Sequence, residues 1–287
     1  SYAYVRDTKG MQTSGKKLPG AYGANEPKQN AANLRTKGWE LMLTWNDAFK
    51  LANKPFRYNL SVGLADNTSE ITKFDNPSKI LSDYYVGQKL GDIWGYVVDG
   101  LFRTDEEAAN YNVDQTAVNF VINTAQVNPG LHAGDMKFVD LDGDHTISSG
   151  SNTADDPGDR KIIGNSLPRY TYSIQGGFDW YGFDFSIYLQ GVGHQDWYPG
   201  TNSVFFWGPY ARPYSSFIPR DFLSQVWSPE NPDAYFPRPI GYLALGNNRS
   251  LGVVNDRYLQ NLAYCRVKNI TVGYTCLLYT SPSPRDT

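Results

Sequence analysis

Two adjoining stretches in the second half of the chain alternate apolar and polar residues for longer than an ordinary soluble strand, and this constrains the fold more than any other feature. In YTYSIQGGFDW, Tyr170, Tyr172, Ile174, Phe178 and Trp180 share one parity, and Thr171, Ser173, Gln175 and Asp179 share the other. In FDFSIYLQG, Phe183, Phe185, Ile187 and Leu189 alternate with Asp184, Ser186, Tyr188 and Gln190. Upstream, Trp39, Leu41, Leu43 and Trp45 form one such series, and Phe56, Tyr58, Leu60, Val62 and Leu64 another, opposite Arg57, Asn59 and Ser61. Successive side chains of a strand point to opposite faces, so each series makes one apolar and one polar face. The strands run to about 10 to 13 residues, against a usual 5 or 6. In YCRVKNITVGY the apolar parity switches between Val267 and Ile270, which predicts a β-bulge.

The connections are as uneven as the strands are regular. About two residues join 168–180 to 183–196, and DAFKLANK joins 35–47 to 55–66, yet about 100 residues separate Asp66 from Leu167 and about 60 separate Trp197 from Leu259. If successive strands run up and down, every short turn falls on one side and every long loop on the other. That is the asymmetry of an outer-membrane β-barrel, whose outward face is an apolar band edged by Trp and Tyr and whose inner face is polar. The competing fold is a β-sandwich, in which the apolar faces pack against a second sheet.

Composition removes other classes. No run of 18 apolar residues exists, so no transmembrane helix is expected. A net charge of -3 gives no basis for nucleic-acid binding. Two cysteines, Cys265 and Cys276, make neither a disulfide framework nor a zinc site. His132, His145 and His194 are scattered, with no nucleophile–base constellation, so the chain is not expected to be an enzyme.

Four phrases, in order, resemble the SusC/RagA family of TonB-dependent outer-membrane transporters of Bacteroidetes. They are YAYVRDTKGMQ with LPGAYGANEPKQNAANLRTKGWELMLTW; VGQKLGDIWGYVVDGLFRTDEE; GDMKFVDLDGDHTI with DRKIIGNSLPRYTYSIQGGFDWYGFDFSIYLQGV; and LSQVWSPENPDAYFPRP with DRYLQNLAYCRVKNITVGYT. The resemblance implies an all-β fold, part of a large transmembrane antiparallel barrel, roughly 22-stranded in the family, with a plugged lumen. Residues 1–275 would supply about six long strands, short periplasmic turns and outer loops at about 9–34, 67–167 and 197–260. The plug, the segment that contacts TonB and the last strands would lie outside this chain. By resemblance the whole protein imports oligosaccharides or peptides across the outer membrane of a Gram-negative, Bacteroidetes-like cell, with a SusD-like surface lipoprotein as partner. The alternative is a secreted or surface β-sandwich that binds glycan with calcium.

The final CLLYTSPSPRDT departs in composition, and Cys276 to Asp286 resemble an in-frame translation of a transposase adapter from sequencing libraries. Residues 276–287 are therefore expected to be non-native.

Two sets of site residues stand out. In DLDGDHTI, Asp140, Asp142 and Asp144 occupy positions 1, 3 and 5 of an EF-hand-like loop, with the Thr146 carbonyl at position 7 and Ile147 at the apolar position 8. Position 6 is His145 where glycine is usual, and position 12 is Ser151 where an acid is usual. The segment SGSNTADDPG reads as an insertion that displaces the twelfth ligand to Asp159, Asp155 or Asp156. The two readings are a structural Ca²⁺ clip within 140–159 and an Asx turn that holds no ion. The second set, Phe205, Phe206, Trp207, Tyr210 and Tyr214, reads as an exposed aromatic platform for a glycan or the lipoprotein lid. In GYVVDGLF, Gly95 and Gly100 are expected to punctuate a hairpin, and in TDEEAANYN, Thr104 is expected to cap a short helix.

Overall fold

A computed structural model describes residues 1–14, 28–118, 130–211, 218–246 and 249–275. Its strands are β1 (Tyr2–Ser14), β2 (Lys28–Leu51), β3 (Lys54–Lys73), β4 (Asp92–Tyr96), β5 (Val98–Leu101), β6 (Met136–Phe138), β7 (Arg160–Asn165), β8 (Arg169–Trp180), β9 (Phe183–His194), β10 (Asp196–Trp197), β11 (Gln260–Asn261) and β12 (Tyr264–Tyr274). Six of them form one antiparallel sheet in the order β1-β2-β3-β8-β9-β12, a meander in which each strand pairs with its chain neighbour within the sheet.

The register turns the alternation into two continuous faces. Leu43, Val62, Ile174, Leu189 and Val267 lie in one row across five strands, and Phe49, Phe56, Trp180, Phe183 and Tyr274 in another. On the opposite face Thr44, Ser61, Gln175, Tyr188 and Asn269 form a row, as do Arg57, Asp179 and Asp184. The apolar rows are bare: Leu43, Trp45, Ile270 and Val272 are each more than half exposed. Among the described residues no second sheet covers them, since the other sheets are two-stranded pairs, β4-β7, β5-β6 and β10-β11. This removes the packing that the β-sandwich alternative requires.

Aromatic rings close the apolar band at the short-turn end: Phe49–Phe56, Phe56–Phe178 and Phe178–Phe185 have centroids 5.0, 5.4 and 5.4 Å apart. From Trp39 at the other end to Phe49 the strand climbs about 33 Å, or about 25 Å once tilted, which is the height of an outer-membrane apolar band.

The short turns are tighter, and the strands longer, than the alternation alone indicates. β2 continues through Asp47–Leu51, so the turn to β3 is Ala52–Asn53 alone, both left-handed at φ 50° and 62°. Tyr181 and Gly182, also at positive φ, make the second. Two-residue turns of this hand match the twist of paired strands. On the other side β1 continues to Ser14, β2 begins at Lys28 and β3 reaches Lys73, so the outer connections are narrower than 9–34 and 67–167. Ladder hydrogen bonds above the apolar band extend these strands where side-chain alternation has ceased. The predicted bulge is present as a register shift between Val267 and Asn269.

The hydrophobic core lies outside the sheet. Tyr96, Leu101, Met136, Phe138 and Ile147 of the 67–167 region pack with Trp207, Tyr210, Phe222, Phe236, Leu251 and Tyr258 of the 197–260 region. The two long connections therefore build one folded body above the barrel wall. The expected hairpin at Gly95–Gly100 does not form: β4 pairs with β7 and β5 with β6. The expected helix does, as α1 (Asp105–Ala109), with Thr104 Oγ1 accepting the Glu107 amide at 3.1 Å and Glu107 accepting the Arg103 amide at 2.8 Å.

Candidate functional site: an acidic loop and an aromatic core above the sheet

The DLDGDHTI segment folds as a chain of carboxylate–amide turns. Asp140 accepts from the amides of Gly143 at 2.7 Å and His145 at 2.9 Å, Asp142 from Asp144 at 3.2 Å, and Asp144 from Thr146 at 2.7 Å. Short polar side chains close such turns on their own backbone. The glycine that position 6 usually requires is replaced at real conformational cost: His145 sits at φ 63°. Ile147 is wholly buried in the loop body, as the apolar position 8 requires, and its backbone amide donates to Asp114 O at 2.8 Å, pinning the loop there.

Asp159 returns to this loop. Its fully buried carboxylate accepts from Leu141 and Ser148, both at 2.7 Å. Oxygens of Asp140, Asp142 and Asp159 come within 4.8 Å of one another. Asp155 and Asp156 turn elsewhere, to Lys79 at 2.7 Å and to the Ser151 amide at 2.9 Å. The insertion is thus a self-contained turn, clasped by Arg160 on Ser149 and Asn152 at 2.8 and 3.0 Å and docked on the 76–85 segment. Asp144 does not join the three-carboxylate group; its carboxylate takes the Thr146 amide instead.

The electrostatics separate the three acids. For Asp142 the Asp144 amide pulls the carboxyl down, but partial desolvation and the charges of Asp159, Asp144 and Asp140 outweigh it and hold the group above the usual carboxylate range. For Asp140 desolvation pushes up, and the amides of Gly143 and His145 with the His145 charge pull it below that range. Asp142 therefore protonates at a higher pH than Asp140. Three acidic side chains in carboxylate contact suit a hard cation with oxygen ligands, and the residues present fit such an ion.

The aromatic set divides, and the expectation of one exposed platform is corrected. Trp207 and Tyr210 are core residues, 0% and 1% exposed. The Trp207 indole donates to Gly200 O at 3.0 Å and the Tyr210 hydroxyl to Pro237 O, and burial pushes the Tyr210 phenol far up. Phe206 packs edge-on against Trp207, Phe236 and Tyr258. Phe205 alone stays open, 77% exposed, and Tyr214 lies outside the described residues, as does the 276–287 tail.

Sequence reading missed the pair that joins the two long connections. Asp135, nearly buried, takes Arg238 in a two-point ion pair at 2.6 and 3.2 Å, 103 residues away in the chain. Arg103–Asp233 at 2.6 Å and the Arg238 amide to Gly134 O at 2.8 Å reinforce it. At the sheet rim, Arg169 grips Asp66 with two bonds of 2.6 Å.

No family model matches the chain. It is 24% identical over 285 residues to TonB-dependent receptor P39 of Formosa agariphila, covering 90% of this chain and 25% of that protein. To TonB-dependent receptor SusC of Bacteroides thetaiotaomicron it is 25% identical over 284 residues, covering 95% and 23%. Among solved structures, the RagAB peptide transporter superposes with a TM-score of 0.60 at 16% identity, over 95% of this chain and 26% of that one. The RagAB peptide importer in its closed-closed state gives 0.58 at 15% identity, over 95% and 26%. Identities this low in the solved structures carry the fold alone.

A two-faced antiparallel wall with an aromatic-edged apolar band has the build of an outer-membrane β-barrel, and the curated proteins that the chain resembles in sequence are TonB-dependent receptors. Within that class it is similar in sequence to SusC and in fold to the RagAB transporter. It spans about a quarter of the length of the curated relatives it matches.

Proposed function

We propose that the chain forms part of the wall and outer surface of an importer that carries oligosaccharides or peptides into the periplasm, energised by TonB and served by a SusD-like lipoprotein. The observation that carries this reading is the continuous meander itself. One face is apolar and unpaired, the other polar, with two-residue turns on one side and a folded loop body on the other. Six strands leave two open edges, so this segment needs further strands to close a barrel. No enzymatic role is proposed, in keeping with transporter relatives. The partner, the TonB contact and the substrate class rest on resemblance, and the printed name of the solved neighbour favours peptides for that neighbour only. In this reading the loop at 140–159 is a structural Ca²⁺ clip formed by Asp140, Asp142 and Asp159. Phe205 is then the one described member of the aromatic set free to meet a lid or a substrate.

The test is uptake of labelled oligosaccharides and labelled peptides by cells carrying or lacking the full-length gene, with and without functional TonB. Gene- and TonB-dependent uptake of one class is expected, with a lipoprotein co-purifying. Uptake indifferent to TonB would sink the proposal.

A further inference from the structure

We infer that the outward face of β1–β3, at the upper edge of the apolar band, is a binding groove for a phosphate-bearing lipid headgroup of the outer leaflet. The inference rests on the outer-membrane placement above. The groove holds about 460 Å³, and its lining includes Val5, Lys37, Trp39, Asp66, Thr68 and Arg169. In register, Ala3 stands beside Trp39, Val5 beside Lys37, and Lys37 beside Thr68, so these side chains share the parity of the apolar rows and point away from the polar face.

Position selects the ligand. Trp39 closes the apolar series of β2, and two residues further along the same face the chain places Lys37, exposed, with no carboxylate partner among the described residues. An aromatic at the edge of the hydrocarbon followed by a cation just beyond it fits an amphiphile whose acyl chains lie low and whose phosphate lies high. Within the groove lining the acid Asp66 is already paired with Arg169, and further along the same face Asp7 and Glu70 share Arg35. Arg169 uses its Nε–Nη2 edge on Asp66, and among the described residues its Nη1 has no hydrogen-bond acceptor. Glu40 has the opposite parity and bonds to Tyr2 on the polar face. Among its lining residues the groove therefore carries one positive charge, Lys37, beyond the Arg169–Asp66 pair, beside apolar Val5, Ala3 and Trp39. Neither a neutral lipid nor an unattached sugar uses all of these features.

The test uses the full-length receptor in neutral detergent, stripped of lipid and titrated with bis-phosphorylated lipid A or its dephosphorylated form, with bound lipid counted by native mass spectrometry. The phosphorylated form is expected to bind more tightly. Lys37→Gln is expected to weaken it about fivefold, the worth of one basic residue at an anionic membrane surface. Lys37→Arg should restore it, and Lys54→Gln at the opposite rim should leave it unchanged. Equal binding by wild type and Lys37→Gln, equal binding of the dephosphorylated form, or displacement by millimolar inorganic phosphate would each overturn the inference. Heat-modifiable migration of each variant monitors the barrel separately, so loss of the barrel reading is told apart from loss of the lipid site.

Discussion

Arg238→Met is the substitution that most directly tests whether the two long outer connections form one body. It removes the guanidinium from Asp135, whose side chain is 4% exposed, and leaves a buried carboxylate with one remaining donor, the His132 amide at 3.0 Å. Breaking a buried pair from one side costs about 3 to 5 kcal/mol. Arg238 is itself 26% exposed and one amide stays in place, so the lower end applies, about 3 kcal/mol. The loss is local, because the sheet does not use this pair. The assay is hydrogen exchange on the full-length receptor in detergent, reading peptides that span Phe102, Gly134 and Arg238: the Arg238 amide crosses to Gly134 O at 2.8 Å, and the Phe102 and Gly134 amides hold the segment that receives it at 3.0 and 2.7 Å. Protection there should fall about a hundredfold, while peptides in β8 and β9 hold theirs. Replacing both partners, Asp135→Leu with Arg238→Met, should recover most of the protection, since no buried charge is left alone. Single-variant protection within about threefold of wild type, or a double variant no better than the single, would refute the claim that this pair fastens the body.

Three other outcomes follow from the structure. Trp207→Ala should destabilise the loop body by about 3 to 5 kcal/mol, whereas Phe205→Ala should change stability by under about 0.5 kcal/mol; proteolysis of the outer loops reads both, and equal sensitivity would contradict their different burial. Gly191→Val should cost about 1 to 3 kcal/mol and impair heat-modifiable folding, because its side chain would meet the Tyr172 ring where that residue crosses β9 to bond Tyr264 O at 3.1 Å. The acidic loop should respond to pH with a defined sign: a carboxyl held above its unfolded value stabilises the folded loop when protonated, and that contribution is lost as pH rises through the raised value of Asp142. Asp140 and Asp156, held low, contribute the opposite sign and lose theirs as pH falls, so in the ion-free loop Asp142→Asn should specifically remove the loss of protection with rising pH, and in the wild type Ca²⁺ should raise protection at pH above the carboxylate range; a Ca²⁺-independent profile would remove the clip.

The wall was legible in the sequence because its information is local. Leu41, Leu43 and Trp45 declare a face within a few residues, and the register that aligns them with Leu64, Val62 and Leu60 follows from a two-residue turn. Even the bulge near Val267 left a trace, as a switch of parity. Above the membrane the information is non-local. Trp207 and Tyr210 read as exposed because an aromatic run looks the same whether it faces a glycan or a core; only Phe236 and Tyr258, some 25 to 50 residues downstream, decide it. The return of Asp159 was one of three options that composition could not rank. The structure ranks them through Lys79 and Ser151, which occupy Asp155 and Asp156 and leave Asp159 to the loop.

The chain is thus divided between two solvents, and its sequence obeys a different rule in each. In the sheet, apolar side chains such as Leu43 and Val272 have no protein to bury them, so their transfer out of water is completed by lipid, and the strands need only the right parity and satisfied backbone groups. Outside the band the surroundings are aqueous, and the same apolar residue types must be covered by protein. The 67–167 and 197–260 connections achieve this by pooling their aromatic residues, because neither holds a complete core alone: Tyr96 and Phe138 come from one, Phe236 and Tyr258 from the other. The ion pair at Asp135 and the acidic loop at Asp140–Asp159 both sit in the second environment, where charge can be neutralised by a partner or a cation. The two long outer connections of this chain thus share one core. Mutations in one connection should accordingly be felt in the other before they reach the barrel wall.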